Sequence, residues 1–429
     1  MDNCKTLRKQ RVYARHGNFN SLRVCGEIVD RNGQPYCCYI EDDCWQAIVS
    51  QELNVNDPVV FRSLQDAINS GAQNICVRDG SAGNATLLSI NHYIKIMRGA
   101  SIGNLTGQPG SDYLIMGPGE MGSFTGGQSV LRLRQLSNFG AVTARNVNIK
   151  DSASRQASTI NLISNELVEP EIFNNVFEEV VVVNVNNTLG GRISNNTFLN
   201  ETTIQSTGDI FYLQFDDNRA ALQQVNINSE GDIRLLSALG NNWSVGVLSA
   251  EGKVESATIN SRGSLRINAE IGLDSSLICG VNGNFAQISV NVPNGRINNN
   301  HFDGNRALLI TLTGQTIDNN SITNNRPVTI VQVGTGGNSM SDNLVSNNSG
   351  DINVNSELGI INWVVNGNSG NVNLNINAAT GLINRTAFIG NQGSLNNTNN
   401  APNTQNTILI GNQTQPPTNF VATQIYTFP

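Results

Sequence analysis

The sequence predicts an all-β chain wound as a parallel β-helix, a solenoid of stacked coils. Three observations predict it: a degenerate motif that keeps returning, strand-type alternation between its copies, and asparagine as the commonest residue, 66 of 429. The motif is fullest at Arg296-Ile297-Asn298-Asn299-Asn300-His301-Phe302-Asp303-Gly304-Asn305. Earlier copies are Arg192-Ile193-Ser194-Asn195-Asn196-Thr197-Phe198 and Ile172-Phe173-Asn174-Asn175-Val176-Phe177, and a later one is Thr316-Ile317-Asp318-Asn319-Asn320. The anchoring apolar residue is read at Ile278, Ile297, Ile317, Met340, Ile361 and Ile383, in steps of 19, 20, 23, 21 and 22. A period of that length marks a repeat architecture in which each unit buries its apolar face on the next.

The content of each period selects the kind of solenoid. Val372, Leu374 and Ile376 alternate with Asn371, Asn373 and Asn375, as Ile352 and Val354 do with Asn353 and Asn355. Alternation with β-branched residues gives strands with one buried face. No helical stripe spans the repeats, which removes leucine-rich, ankyrin and helical-hairpin arrays. Gly-Asn, Asn-Gly and Asn-Asn pairs between the strands suit tight corners with a left-handed backbone. Coils stacked about 4.8 Å apart would make roughly a dozen into a rod on the order of 60 Å long. Inward asparagines at the corners should bond to backbone and to the asparagine of the next coil, forming ladders.

Residues 1–58 differ in kind and read as a small, Cys-rich, β-rich head. It holds Cys4, Cys25, Cys37, Cys38 and Cys44, five of the seven cysteines. Lys5, Arg8, Lys9, Arg11, Arg15, Arg23 and Arg31 make its first part basic, and Glu41-Asp42-Asp43 reverses the sign. Cys37-Cys38 and Cys44 lack the paired knuckles of a zinc site. The head reads either as an attachment arm for a protein partner or as a cap with solvated charges. Ser63 then reads as an N-cap, Leu64, Ala67 and Ile68 as the apolar face of a short capping helix, and Gly71 as its stop. A strand, Asn74-Ile75-Cys76-Val77, leads to an Asp79-Gly80 turn.

From Phe61 through Gly80, and on to Tyr93-Ile94-Lys95-Ile96 and Gly99, the chain resembles the start of pectin-lyase-like β-helix proteins. The resemblance extends over roughly residues 60–400 and implies a right-handed parallel β-helix across 59–395. That fold serves polysaccharide lyases and hydrolases, phage tailspikes and non-catalytic virion proteins alike, so it leaves function open. Glycine-rich residues 103–127 read as long turns, and 396–429 as a C-terminal tail.

Function is the thinner part of the reading. A glycosidase needs two carboxylates across the scissile bond, and the best candidate pair is Asp216 and Asp217. They are adjacent, so on a strand they would face opposite ways. Gly-His-Gly and Arg-x-Lys elements of polygalacturonases are absent, and Asp303 and Asp318 stand apart from any Ca²⁺-type acidic cluster. His16, His92 and His301 are scattered. No metal or other cofactor is expected. The net charge of −7 excludes a general nucleic-acid binder. There is no apolar run long enough to span a membrane and no secretory signal at the N-terminus.

The expected function is therefore that of a non-catalytic structural protein, made in a cytosol and incorporated in a larger assembly. Stand-alone β-helix chains of this kind look like virion-associated proteins of large DNA viruses. The alternatives are a polysaccharide-degrading, tailspike-like enzyme and a glycan-binding surface adhesin. Solenoids of this type are often trimers, which would hide lateral apolar strips.

Overall fold

A computed structural model describes residues 45–53, 58–156, 158–283, 286–326, 329–334, 339–377, 381–397, 403–412 and 424–426. The head cysteines from Cys4 to Cys44, the basic arm and most of the C-terminal tail lie outside the described residues. The chain divides into two compact units, Met1–Phe139 and Gly140–Pro429. Among the described residues every strand pairing in both is parallel, and coil follows coil, so each unit is a parallel β-solenoid.

In the first unit the strands Ala47–Val49, Asn74–Val77, His92–Ile96, Asp112–Met116 and Phe124–Arg134 stack in turn. Their inward column is Ala47, Ile75, Ile94, Ile115 and Leu133, all fully buried. Among the described residues the one helix is Leu64–Asn69. Ser63 caps it, its hydroxyl accepting from the Asp66 N–H at 3.1 Å, and Leu64, Ala67 and Ile68 are its buried face.

The second unit repeats the same device more regularly. From Ser158–Leu162 onward one inward column runs Ile160, Val183, Ile204, Ile227, Leu248, Ile267, Val290, Leu312, Gln332, Val354 and Leu374. Burying an apolar side chain of this column, which is every member but Gln332, contributes on the order of 2 kcal/mol, so these are what hold successive coils in register. A one-residue slip would turn each of them outward.

The repeat read from the sequence is present with two corrections of register. Ile297 and Ile317 share a column with Leu273, not with Ile278. Ile278 belongs to the neighbouring column with Phe302, Ile322, Val345, Val365 and Phe388. Likewise Ile360, fully buried, pairs with Met340 and Ile383, while Ile361 pairs with Ser341 and Asn384 on the outer side. In the first case both residues are buried, each in its own column; in the second two adjacent isoleucines compete for one slot. Stacking also runs past residue 395, where the tail was expected to begin. Asn403–Gln405, Ile408–Ile410 and Gln424–Tyr426 pair in parallel with the strands before them.

Candidate functional site

The polar side chains of the second unit converge on its corners. At one corner the chain turns through a residue with left-handed backbone, and the next residue points inward. Asn174, Asn195, Asp217, Asn324 and Asn347 hold the turning position with φ near 55°, and Gly240, Gly304, Gly367, Gly390 and Gly411 fill it elsewhere. Asparagine, aspartate and glycine are the residues that accept this conformation at low cost. Gly240 is the tightest case, because a Cβ there would lie 2.2 Å from the Asp217 carboxylate.

The inward residues form the ladder. Asn305, Asn325, Asn348, Asn368 and Asn391 are almost fully buried, and each side chain bonds to the next. Asn348 illustrates the unit. Its Oδ1 accepts from the Asn325 N–H and from Asn325 Nδ2, both at 3.0 Å. Its Nδ2 donates to Asn368 Oδ1 at 3.0 Å and to the Ile322 carbonyl at 2.9 Å. Every polar atom of the amide is satisfied, which a buried amide requires. An Asn-Asn pair in the sequence is thus two jobs in order: an exposed turn residue, then a buried ladder residue.

A second corner repeats the scheme with Ser276, Asn300, Asn320 and Asn343. Trp363 takes the next place and donates its indole N–H to the Met340 carbonyl at 3.0 Å, as Asn343 Nδ2 does to Ile317. The first corner is interrupted once. Asn175, Asn196, Asn218 and Asn241 form its early segment. Opposite Asn241 stands Ser261, buried, whose hydroxyl has no partner among the described residues. Val281 follows, and the ladder resumes when the Val281 N–H donates to Asn305 Oδ1.

The candidate carboxylates lie on the early segment of that corner. Asp216 Oδ1 accepts from the Ser237 hydroxyl and from the Leu239 N–H, each at 2.8 Å. Asp217 occupies the left-handed turn position, and its N–H donates to the Leu239 carbonyl. Asp217, Arg219, Asn242, Asn260, Arg262 and Asn282 line a polar groove beside the interruption. His92 is buried in the first unit, His301 is exposed on a strand of the second, and His16 lies outside the described residues. Trp243 and Trp363 are both buried.

Other ionisable groups serve the coil-to-coil contacts. Hydrogen bonds from the Thr323 hydroxyl and Asn324 amide hold the Asp303 carboxyl below its ordinary range. Burial pulls the Asp232 carboxyl upward, but bonds from the Lys253 backbone and Arg234 outweigh it and the result is lowered. Burial, and then the Asp303 charge, push the Cys279 thiol up. Among the described residues no group of three or more His, Cys, Asp or Glu side chains could hold a metal ion, and no helix is long and apolar enough to cross a membrane.

Sequence reasoning passed over one arrangement. Arg219, Arg262 and Arg306 stand in one column along the first corner, alternating with Asn242 and Asn282. The available signal was the recurring pair Asn-Arg at Asn218-Arg219, Asn305-Arg306 and Asn325-Arg326. Compared with family models, with curated protein sequences and with solved structures, the chain matches none.

Proposed function

We propose that the protein is a non-catalytic structural component, a β-solenoid attached through its N-terminal head to a larger assembly such as a virus particle. On this reading it is made in a cytosol and joins the particle there. The observation that supports it most is the use made of polar side chains. Along the corners they bond from coil to coil, and Asp216, the carboxylate a hydrolase would need free, is bonded to the next coil through Ser237 and Leu239. A side chain held by two donors of its own fold is poorly placed to move a proton onto a leaving group.

Two measurements test the reading. Removing residues 1–44, which stops short of the buried strand Ala47–Val49, should leave the β-rich circular dichroism spectrum intact and abolish co-sedimentation with particles from cells that make the protein; unchanged co-sedimentation overturns the attachment. Incubation with acidic and neutral polysaccharides should release neither reducing ends nor unsaturated products. Release that disappears in the Asp216→Asn/Asp217→Asn variant would replace the structural reading with a polysaccharide-degrading one.

A further inference from the structure

The arginine column along the first corner belongs to a longer stripe of donors. The residue after each rung position points outward. On six consecutive coils it is Arg219, Asn242, Arg262, Asn282, Arg306 and Arg326. All four arginines are exposed, and none forms an ion pair with a described carboxylate. Both asparagines are half-buried, and Asn282 gives one N–H to the Gly280 carbonyl at 3.0 Å. Arg219, Asn242, Arg262 and Asn282 line the polar groove beside the interruption. Among the described residues that lining holds no aromatic or aliphatic side chain, and Asp217 is its one carboxylate. In a chain of net charge −7, four unpaired cations in line are not explained by coil-to-coil bonding.

We propose that this stripe binds an extended acidic segment of a partner protein, laid along the coil stack in the polyproline II conformation. Spacing carries the choice. Coils rise about 4.8 Å each, so Arg219, Arg262 and Arg306 recur about every 9.6 Å. A polyproline II chain turns once in three residues and returns a side chain to one side about every 9.3 Å. A glutamate at every third residue therefore meets each arginine in turn, in a charge-assisted hydrogen bond. A β-strand returns a side chain about every 6.7 Å and is out of step at Arg262. An α-helix returns to one side after two turns, about 10.8 Å, and drifts further at each arginine. The polyproline II backbone makes no internal hydrogen bonds, so its carbonyls can accept from Asn242 and Asn282 between the arginines. A lining without a ring gives nucleobases nothing to stack on, and the face of a sugar no apolar platform. Arg326, one coil past Arg306, extends the positive charge beyond the groove. The inference does not depend on where the head attaches.

The test is fluorescence anisotropy of a labelled peptide of Glu-Pro-Pro repeats titrated with the full chain. The peptide should bind at low ionic strength and be released in about 1 M salt, because exposed charge pairs are screened. Arg262→Glu/Arg306→Glu should weaken binding about tenfold or more and leave the circular dichroism spectrum unchanged, since both side chains are exposed. The neutral Arg262→Gln/Arg306→Gln should show a smaller loss in the same direction. A peptide of the same composition with its glutamates consecutive should bind several-fold more weakly than the repeat. No binding of the repeat peptide, unchanged binding by both variants, or equal binding of the clustered peptide overturns the proposal. So does tighter binding of a polysaccharide with alternating acidic and neutral sugars, which would make the stripe a glycan site.

Discussion

The two units wind the same coil with different corners. In the first, tight turns are made by glycine: Gly117 and Gly119 pass so close to the preceding coil that a Cβ would fall 2.2 Å from the Ile96 carbonyl oxygen and from Ile96 Cγ2 respectively. Its side-chain bonds between coils are of varied kinds: Asn84 Oδ1 accepts from the Asn104 N–H at the surface, and the buried Tyr113 hydroxyl donates to the Leu88 carbonyl. In the second unit the corner interior is occupied by amides that satisfy each other and the backbone. Glycine brings coils together by leaving space, whereas the asparagine ladder brings them together by bonding. The first solution is local, so each corner stands alone. The second is collective, because every amide depends on the one above and the one below.

That difference predicts unequal sensitivity to single changes. Asn348→Leu preserves approximate volume and removes four hydrogen bonds at once. It leaves the Asn325 N–H and side-chain amide and the Ile322 carbonyl buried without this partner. At roughly 1–3 kcal/mol for each orphaned group, the loss should be about 4 kcal/mol or more. Hydrogen exchange should show it concentrated in the flanking coils, since a solenoid's stability is close to a sum over neighbouring repeats. An effect below about 1 kcal/mol would mean that the ladder follows the fold and does not hold it.

The ladder is also where the sequence was most readable. Asparagine pairs at a fixed period announce both the turn and the inward amide, because few residues other than asparagine accept a left-handed turn and also bond four ways when buried. The all-β class and the parallel stacking follow from the same pattern. What escaped reading was whatever depends on one residue of offset. Ile360 and Ile361 are equally apolar, and only the φ of 56° at Asn362 fixes which one points inward. Past residue 395 the signal faded because Gly411-Asn412 is a short, degenerate copy of Gly390-Asn391, although Asn412 Oδ1 still accepts from Asn391. The candidate carboxylates were legible as a pair and not as a site. Asp217 looks acidic in a list of residues, but its position is that of Asn195 one coil earlier.

The interruption at Ser261 offers the reverse experiment. Its register partner Asn241 ends the early segment, and its own hydroxyl is buried without a partner among the described residues. Ser261→Asn should extend the ladder by one rung, with the new Oδ1 accepting from Asn241. The expected gain is about 1 kcal/mol, the net worth of a typical buried hydrogen bond, read as a higher urea midpoint. A loss of stability instead would show that the corner at Gly263, where φ is 103° and a Cβ would lie 1.9 Å from the Trp243 carbonyl oxygen, is closed too tightly for an amide.

The smallest effect belongs to the first unit and depends on pH. His92 is 2% exposed, and its Nε2 accepts from the Leu88 N–H at 3.3 Å. Burial holds its pKa below the ordinary 6.5, against a smaller opposing pull from the Ala72 backbone. The unfolded imidazole therefore takes up a proton at higher pH than the folded one. Between those two values the unfolded state holds more protons, so stability rises with pH there and is lost as pH falls below about 6.5. Relative to the intrinsic rate at each pH, which itself slows with acid, amide exchange in His92–Ile96 and its neighbours Asn74–Val77 and Asp112–Met116 should accelerate as pH falls from about 7 to about 5. In His92→Phe, whose ring can keep the stacking on Tyr113, that extra pH dependence should vanish, at a cost of about 1 kcal/mol for the Leu88 N–H left without its acceptor. If the acceleration persists in the variant, the acid sensitivity of this unit comes from its carboxylates, and the buried imidazole is a bystander.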